Sequence, residues 1–277
     1  MDITTITSYR VARTRDDLAL APGEALLAGG TWLMSEPQPH TTGFVDLTGL
    51  GWPPIEVSAA GVRIAATCTI AELVAWAQGR GDAAVPRRWT ATTLIPQAAN
   101  ALLASFKIWN TATVGGNVCR SFAAAAMVSL CAALDGVADV WFAGGGACRV
   151  PVADLITGNG TNSLAAGDVL RAVELPAHAL RSRARLARIA LAEHGRSGSV
   201  VTGRVDDDGA AVFTVTAATL TPTVLRFPAL PDAATLSGAV GAASGYYTDP
   251  LGSSDWRRGV SIVLAERIRA DLEGEGP

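Results

Sequence analysis

The sequence predicts an α+β fold in which two mixed segments precede a C-terminal antiparallel sheet with helices. Residues 1–54 hold short apolar runs that end in glycine. Residues 55–177 alternate strand-like and helix-like patterns, and residues 178–277 carry β-rich runs followed by one strong helix. Because mixed and strand-rich patterns occupy separate stretches of the chain, we expect an α+β protein with three domains at these bounds.

The composition indicates a globular protein with a substantial core. Of the 277 residues, 49% are hydrophobic and 17% are charged, which excludes a disordered chain. The net charge of -3 and the lack of a basic run also argue against nucleic-acid binding, since phosphate contacts need a basic surface. The N-terminus lacks the pattern of a signal peptide, and no apolar run reaches the roughly 20 residues of a membrane span. We therefore expect a cytoplasmic protein.

Local patterns place the elements of the first two segments. Apolar runs over 25–28 and 44–47 indicate a small βαβ-like unit, which Pro53 and Pro54 separate from the next segment. Thr69 and Glu72 form a capping-box pattern at the start of a helix. In the second segment we predict strands over 62–66, 137–142 and 169–175, helices over 70–76, 93–105 and 123–134, a glycine-rich loop over 110–117, and a turn over 144–146.

The third segment begins near His178. Its β-rich runs over 185–192, 199–205 and 211–220 predict an antiparallel sheet. The last helix is expected to begin with Asp255 as its cap. One apolar face is predicted for this helix, and its arginines are expected to lie elsewhere. The predicted face comprises Val260, Val263, Leu264 and Ile268, and the arginines are Arg257, Arg258, Arg267 and Arg269.

Two glycine-rich loops carry the functional signal. The first is Ala28-Gly29-Gly30-Thr31, and the second spans residues 113–117. Paired glycines let the backbone approach a ligand, and successive N–H groups in such turns form concave anion sites. Two such loops predict a site for the two phosphates of a dinucleotide, although each pair alone is also typical of an ordinary turn. Neither a P-loop nor the glycine fingerprint of a Rossmann fold is present.

The remaining cysteines, histidines and carboxylates form no recognisable catalytic or metal site in the sequence. Cys68, Cys119, Cys131 and Cys148 are scattered and form no C-x-x-C pair, so we expect buried free thiols and no metal site. His40, His178 and His194 are widely spaced, and no catalytic triad or carboxylate pair is visible. We therefore assign no catalytic residue.

Several ordered motifs resemble one family over nearly the whole chain. The chain resembles the FAD-binding medium subunit of molybdenum-containing hydroxylases, which include carbon monoxide dehydrogenase and the flavin domain of xanthine dehydrogenase. The first loop, Leu26 to Thr31, and the second loop, with its run Ala112-Thr113-Val114-Gly115-Gly116-Asn117, match the two flavin loops of that family. Further matching segments are 44–47, 64–73, 158–170 and 255–258.

The resemblance implies a two-subdomain flavin fold of the kind found in vanillyl-alcohol oxidase (the FAD-binding PCMH type). FAD would lie between the first two segments, with its pyrophosphate on the two loops and Leu170 near the flavin. Leu103 and Arg188 are weaker candidates. The implied FAD-binding residues are Leu26, Leu27, Ala28, Gly29, Gly30, Thr31, Trp32, Leu33, Leu103, Thr113, Val114, Gly115, Gly116, Asn117, Leu170 and Arg188.

The sequence departs from the family pattern at two positions. An aspartate that contacts FAD in many members is replaced by Ala126, and the polar residue after the first loop is replaced by Trp32. Trp32 is expected either to stack on the cofactor, to limit access to it, or simply to fill the cleft wall. Losing one charge-assisted contact would cost about 1.5–3 kcal/mol of binding free energy if nothing replaces it.

The function implied by the resemblance is electron transfer. A large molybdenum-cofactor subunit would oxidise the substrate, and a small [2Fe-2S] subunit would pass electrons to FAD in this chain and onward to an external acceptor. The chain would then be part of a hetero-oligomer. Two alternatives stay open: a stand-alone flavin oxidase or reductase, similar to the UDP-N-acetylenolpyruvoylglucosamine reductases, and a scaffold subunit that has lost FAD.

Overall fold

The fold is known from a computed structural model, which describes residues 4–101, 106–192 and 195–274. It mixes helices with mainly antiparallel sheets, which confirms the α+β prediction. Leu103 and His194 lie outside the described residues. The strands are β1 Ser8–Val11, β2 Glu24–Leu27, β3 Gly43–Asp46, β4 Ile55–Ser58, β5 Gly61–Ala65, β6 Val137–Trp141, β7 Ala147–Pro151, β8 Ile156–Gly158, β9 Thr161–Asn162, β10 Val169–Pro176, β11 Arg183–Ile189, β12 Ser199–Val205, β13 Ala211–Thr216 and β14 Thr223–Phe227.

Helices connect and cover these strands. Short 3-10 helices at Asp16–Leu18, Leu47–Leu50 and Thr90–Thr93 precede or follow several of them. Among the described residues, no helix is both long and apolar enough to cross a bilayer. The α-helices are α1 Ile70–Ala77, α2 Leu94–Ala101, α3 Phe106–Trp109, α4 Val114–Arg120, α5 Ala126–Ala133, α6 Val152–Leu155, α7 Ala177–Arg181, α8 Ala233–Ala242 and α9 Ser254–Gly274.

Three larger sheets follow one another along the chain. The first has the order β1-β3-β2 with parallel pairing, so its middle strand is the last in sequence. The second is antiparallel with the order β4-β5-β10-β6-β7, and the third is the antiparallel meander β11-β12-β13-β14. The division into three domains at residues 54 and 177 stays a prediction.

Most of the core lies in the middle segment. There the apolar sides of α1, α2 and α5 pack with β5, β6 and β10. A second core lies under the C-terminal sheet, where α8 and α9 contribute Leu236, Val240, Leu264 and Ile268. Burying such aliphatic side chains stabilises the fold by about 1.5–3 kcal/mol each, so the two cores fix the frame on which the glycine loops sit.

The predicted strands and the capping box of the middle segment are confirmed. The Thr69 side chain accepts a hydrogen bond from the Glu72 N–H, and the Glu72 carboxylate accepts one from the Thr69 N–H, so both unpaired donors are satisfied. The turn at 144–146 also forms, with the Phe142 N–H bonded to the Gly146 carbonyl oxygen at 3.3 Å.

The C-terminal segment differs from the prediction in its last helix. The Ser253 hydroxyl, and not Asp255, accepts the N–H of Trp256 at the start of α9. Val263 is exposed, because the buried face runs through Ser261, Leu264, Ile268 and Leu272. The strand β14 and the helix α8 were also not predicted.

Arg257 was expected away from the apolar face, but it is fully buried. Its guanidinium donates to the carbonyl oxygens of Gly198 (2.6 Å) and Ala217 (2.8 Å) and to the Asp249 carboxylate. A buried arginine is stable only when its donors are paired, and these partners satisfy that condition.

Candidate cofactor site

A cleft of about 640 Å³ opens where the loop after β2 meets α4. This volume lies within the range of about 300–1,000 Å³ that is typical of small-molecule sites, and the lining is mostly apolar. The lining residues are Leu26, Ala28, Gly29, Gly30, Thr31, Trp32, Leu33, Ser35, Leu47, Ala66, Ile108, Ala112, Thr113, Gly115, Gly116, Asn117, Cys119, Arg120, Phe122, Leu164, Asp168, Val169 and Leu170.

The first glycine loop presents a row of free backbone donors. Gly30 has φ = 67°, a left-handed conformation that favours glycine, and a turn closed by Met34 N–H on the Gly30 carbonyl oxygen (2.8 Å) follows it. Across the described ranges, the N–H groups of residues 29–33 have no hydrogen-bond partner. Successive unpaired N–H groups beside a cleft form an anion-binding concavity.

The two loops contact each other at Gly29. A Cβ at this position would overlap the carbonyl oxygen of Thr111 and lie 3.2 Å from the Cα of Ala112. At the second loop, a Cβ on Gly115 would overlap Ala66, the residue after β5. Both glycines are therefore required by close backbone packing, which holds the two loops on either side of one cleft.

The second loop does not offer the backbone donors that were predicted. Residues from Val114 onward are helical, so what was expected as a loop is partly the start of α4. The Gly115 N–H donates to the Ala66 carbonyl oxygen (2.9 Å), and the Gly116 N–H donates to Thr113 Oγ1 (3.0 Å). The prediction of free donors is therefore wrong for these two glycines, which instead supply part of the cleft wall.

Asn117 and Asp168 are held by the protein itself. Asn117 Oδ1 accepts the N–H of Met127 at 2.8 Å, which joins α4 to α5. The two Asp168 oxygens accept the N–H groups of Ala143 (3.1 Å) and Ala165 (3.0 Å). Both side chains line the cleft, and these hydrogen bonds hold the cleft wall in place.

Arg120 is a site residue that the sequence did not reveal. Its guanidinium carbon lies 4.1 Å from the ring centroid of Trp32 and 4.2 Å from that of Phe122. The two rings meet edge to face at 5.0 Å. Arg120 Nε is buried without a hydrogen-bond partner, and burial lowers the pKa of this guanidinium. The position lies in no recognised motif, so the pattern gave no signal for it.

Most of the predicted FAD-binding residues lie in this cleft. Leu170 is buried in its wall, just before a register shift in the β6–β10 pairing. Leu27 and Val114 are buried and do not line the cleft. Arg188 lies on β11 outside the lining, with its Nη1 bonded to the Gly195 carbonyl oxygen at 3.4 Å. Leu103 falls outside the described residues, so its role stays a prediction.

Ala126 and Trp32, the two residues that depart from the family pattern, differ in their exposure. Ala126 is buried at the start of α5 and carries no polar group toward a ligand. Trp32 is 36% exposed and forms part of the cleft wall against Phe122. Trp32 therefore fills part of the cleft wall and stays partly exposed.

The four cysteines are free thiols, and Cys68 and Cys131 are buried as predicted, whereas the prediction of burial is wrong for Cys119 and Cys148, which are only partly buried. Burial raises the pKa values of Cys68, Cys119 and Cys131 to about 12, so these thiols stay protonated near neutral pH. Over the described part of the chain, no group of three or more metal-ligating side chains comes together.

The cleft fits a flavin dinucleotide by the chemistry of its donors. Residues 29–33 supply neutral N–H donors and Arg120 supplies a positive charge, which together suit a diphosphate. The apolar remainder suits an aromatic ring system. The close packing at Gly29 and Gly115 leaves this space open, because side chains there would displace the loops.

Sequence and structure comparisons identify related proteins. The family model described as the FAD binding domain in molybdopterin dehydrogenase matches residues 6–178. No curated protein sequence matches the chain significantly.

Solved structures share the fold over nearly the whole chain. Quinoline 2-oxidoreductase from Pseudomonas putida 86 is 21% identical with a TM-score of 0.77, covering 96% of this chain and 97% of its own. Carbon monoxide dehydrogenase from Hydrogenophaga pseudoflava, lacking the Mo-pyranopterin moiety of its cofactor, is 16% identical with a TM-score of 0.78, covering 97% and 98%. Reconstituted CO dehydrogenase from Oligotropha carboxidovorans is 20% identical with a TM-score of 0.79, covering 96% and 98%.

Proposed function

The chain belongs to the family of FAD binding domains in molybdopterin dehydrogenases, and on this premise we propose that it is the electron-transfer subunit of a molybdenum-containing hydroxylase. It would receive electrons from a small [2Fe-2S] subunit and deliver them to an external acceptor, while a large molybdenum-cofactor subunit holds the substrate. The observation that carries this proposal is the row of unpartnered N–H groups at residues 29–33, which faces an apolar cleft in a chain of this family.

Each part of the cleft has a proposed task. The N–H groups of residues 29–33 bind the diphosphate, and Thr113, Gly116 and Asn117 form the wall beside it. Leu170 packs toward the flavin and keeps water away from it. FAD supplies the redox chemistry when bound, so the chain needs no catalytic acid or base of its own.

The partner subunits are proposed from the related structures. The matched carbon monoxide dehydrogenase from Hydrogenophaga pseudoflava is an enzyme with a molybdenum cofactor, whose Mo-pyranopterin moiety is missing in that structure, and the present chain covers 98% of the matched chain. A chain of this size and fold is therefore proposed as one subunit of a cytoplasmic hetero-oligomer. The molybdenum cofactor and the [2Fe-2S] clusters are proposed to lie on the other subunits.

The proposal is tested by visible absorbance and turnover. The chain is purified alone and with the proteins encoded by neighbouring genes, and each sample is scanned for flavin bands and assayed for substrate oxidation. We expect flavin in the chain and turnover only in the complex. A colourless protein in both preparations would indicate a scaffold that has lost FAD. A yellow chain that oxidises substrate alone would indicate a stand-alone oxidase or reductase.

Trp32 provides a second measurement on the same cleft. Because its ring is partly exposed in the cleft wall, we expect Trp32→Ser to reduce both flavin occupancy and the quenching of tryptophan fluorescence by flavin. Trp141→Ser is the control, since Trp141 is also partly buried but does not line the cleft. If quenching and occupancy in Trp32→Ser equal those of the wild type, Trp32 does not stack on the cofactor.

A further inference from the structure

Arg120 is the one cationic side chain among the described residues that line the cleft. Its Nε is buried without a hydrogen-bond partner, although an unsatisfied buried donor normally costs about 1–3 kcal/mol. Arg171 also has an unpaired buried nitrogen, so this feature alone does not identify a ligand. Arg120 differs because it lines the cleft, where an anionic ligand can accept its free donor.

No carboxylate of the described residues pairs directly with this guanidinium. Within the described residues Arg120 forms no ion pair, and the nearby Glu36 acts on it only through a long-range attraction. Asp168, the acidic residue of the cleft lining, already accepts two backbone N–H groups. The Arg120 guanidinium therefore has no direct carboxylate partner among the described residues.

Two aromatic rings fix the guanidinium in place. Trp32 and Phe122 lie 4.1 Å and 4.2 Å from it, and a planar guanidinium stacks well on such faces. Trp32 also belongs to the row of unpartnered N–H groups at residues 29–33. Arg120 is thus held next to that row, in a position that needs little rearrangement to bind an anion.

We propose that Arg120 binds a phosphate group of the FAD diphosphate directly, together with the N–H groups of residues 29–33. This inference rests on the proposed function and names a residue that the sequence motifs do not contain. The charged donor strengthens a site whose other donors are neutral, because a hydrogen bond to an ionised donor is about twice as strong as a neutral one. Trp32 and Phe122 act as positioning residues for it.

The test uses the full chain and measures FAD affinity by flavin fluorescence at low and high salt. Arg120→Met is expected to raise the dissociation constant roughly tenfold to hundredfold, the range for one lost charge-assisted hydrogen bond. Its salt dependence is expected to fall, since the screened charge is gone. Arg120→Lys, which keeps the charge but not the planar fork, should lie between Arg120→Met and the wild type.

Arg171→Met is the matched control. Arg171 also has a buried nitrogen without a partner, Nη1, and its guanidinium lies 4.3 Å from the ring centroid of Trp52, but it does not line the cleft. Its FAD affinity should stay within about twofold of the wild type. Riboflavin, which has no phosphate, should bind equally to the wild type and Arg120→Met.

The inference fails if Arg120→Met and Arg120→Lys both bind FAD as tightly as the wild type with the same salt dependence. It also fails if Arg120→Met binds FAD more tightly, which would mean that the stacked guanidinium occupies the cleft and blocks the ligand. These results differ from a failure of the proposed function, in which the wild-type chain binds no FAD either alone or in its complex.

Discussion

Replacing Gly29 with alanine is expected to weaken FAD binding about a hundredfold. The added Cβ would overlap the carbonyl oxygen of Thr111, and a backbone atom cannot move aside as a flexible side chain can. Overpacking of this kind costs about 1–3 kcal/mol. Here the strain falls on the loop that carries the donors at residues 29–33, so binding is lost along with stability. The measurement is FAD titration of the variant together with its thermal unfolding.

Gly144→Ala is the control for Gly29→Ala. Gly144 lies in the turn between β6 and β7, its added Cβ meets nothing within 4 Å, and its φ is outside the left-handed region. This variant should bind FAD like the wild type. If Gly29→Ala does the same, the close contact between the two loops is not what shapes the cofactor site.

Replacing Asp135 with asparagine is expected to destabilise the fold by about 3 kcal/mol. Asp135 accepts hydrogen bonds from Arg204 on β12, Arg226 on β14 and His178, so it joins the middle segment to the C-terminal sheet. The Arg204 side chain is only 2% exposed, and removing one partner of a buried ion pair costs about 3–5 kcal/mol. Asp206 still pairs with Arg204, which places the expected loss at the lower end.

Asparagine suits this test because Asp135 has φ = 50°, a conformation that asparagine tolerates. The measurement is urea unfolding at neutral pH. Asp207→Asn is the control, since Asp207 pairs, among the residues that the structure describes, only with the more exposed Arg181 and should contribute about 0–1 kcal/mol. If Asp135→Asn and Asp207→Asn lower the free energy of unfolding equally, Asp135 stabilises the fold no more than an exposed ion pair does.

Lowering the pH should also remove the stabilisation that Asp135 provides. Burial opposes ionisation of Asp135, but the bonds from Arg226, Arg204 and His178 outweigh it and lower the pKa to about 2. A carboxyl with a lowered pKa in the folded state stabilises the fold above its unfolded pKa near 4. The difference in unfolding free energy between wild type and Asp135→Asn should therefore shrink as the pH falls from about 5 to about 2.

Patterns in the sequence predicted the elements whose structure depends on residues close to one another in the chain. The capping box of Thr69 and Glu72 and the strand β6 depend on neighbours within a few residues, and both are confirmed. The burial of Arg257 could not be predicted in this way. Its partners lie at Gly198, Ala217 and Asp249, and only the tertiary structure brings them to α9.

At the cofactor site, too, the sequence showed the local features but not the contacts between distant residues. The glycine pairs at 29–30 and 115–116 were visible in the sequence because close packing requires glycine at Gly29 and Gly115 and a left-handed backbone favours it at Gly30. The sequence could not show that the Gly115 and Gly116 N–H groups are already bonded, since their acceptors include the carbonyl oxygen of Ala66, which is distant in the sequence. Arg120 was missed for a similar reason, because its aromatic partners Trp32 and Phe122 meet only in the folded chain.

The cleft between the two loops is the proposed binding site of FAD. An experimental structure of the full chain, alone or in its complex, determined with added FAD, would show whether the cofactor binds there. We predict density for the diphosphate within hydrogen-bond distance of the N–H groups of residues 29–33 and for the flavin beside Leu170. A structure that shows FAD bound elsewhere, or this cleft empty at saturating FAD, would contradict the account.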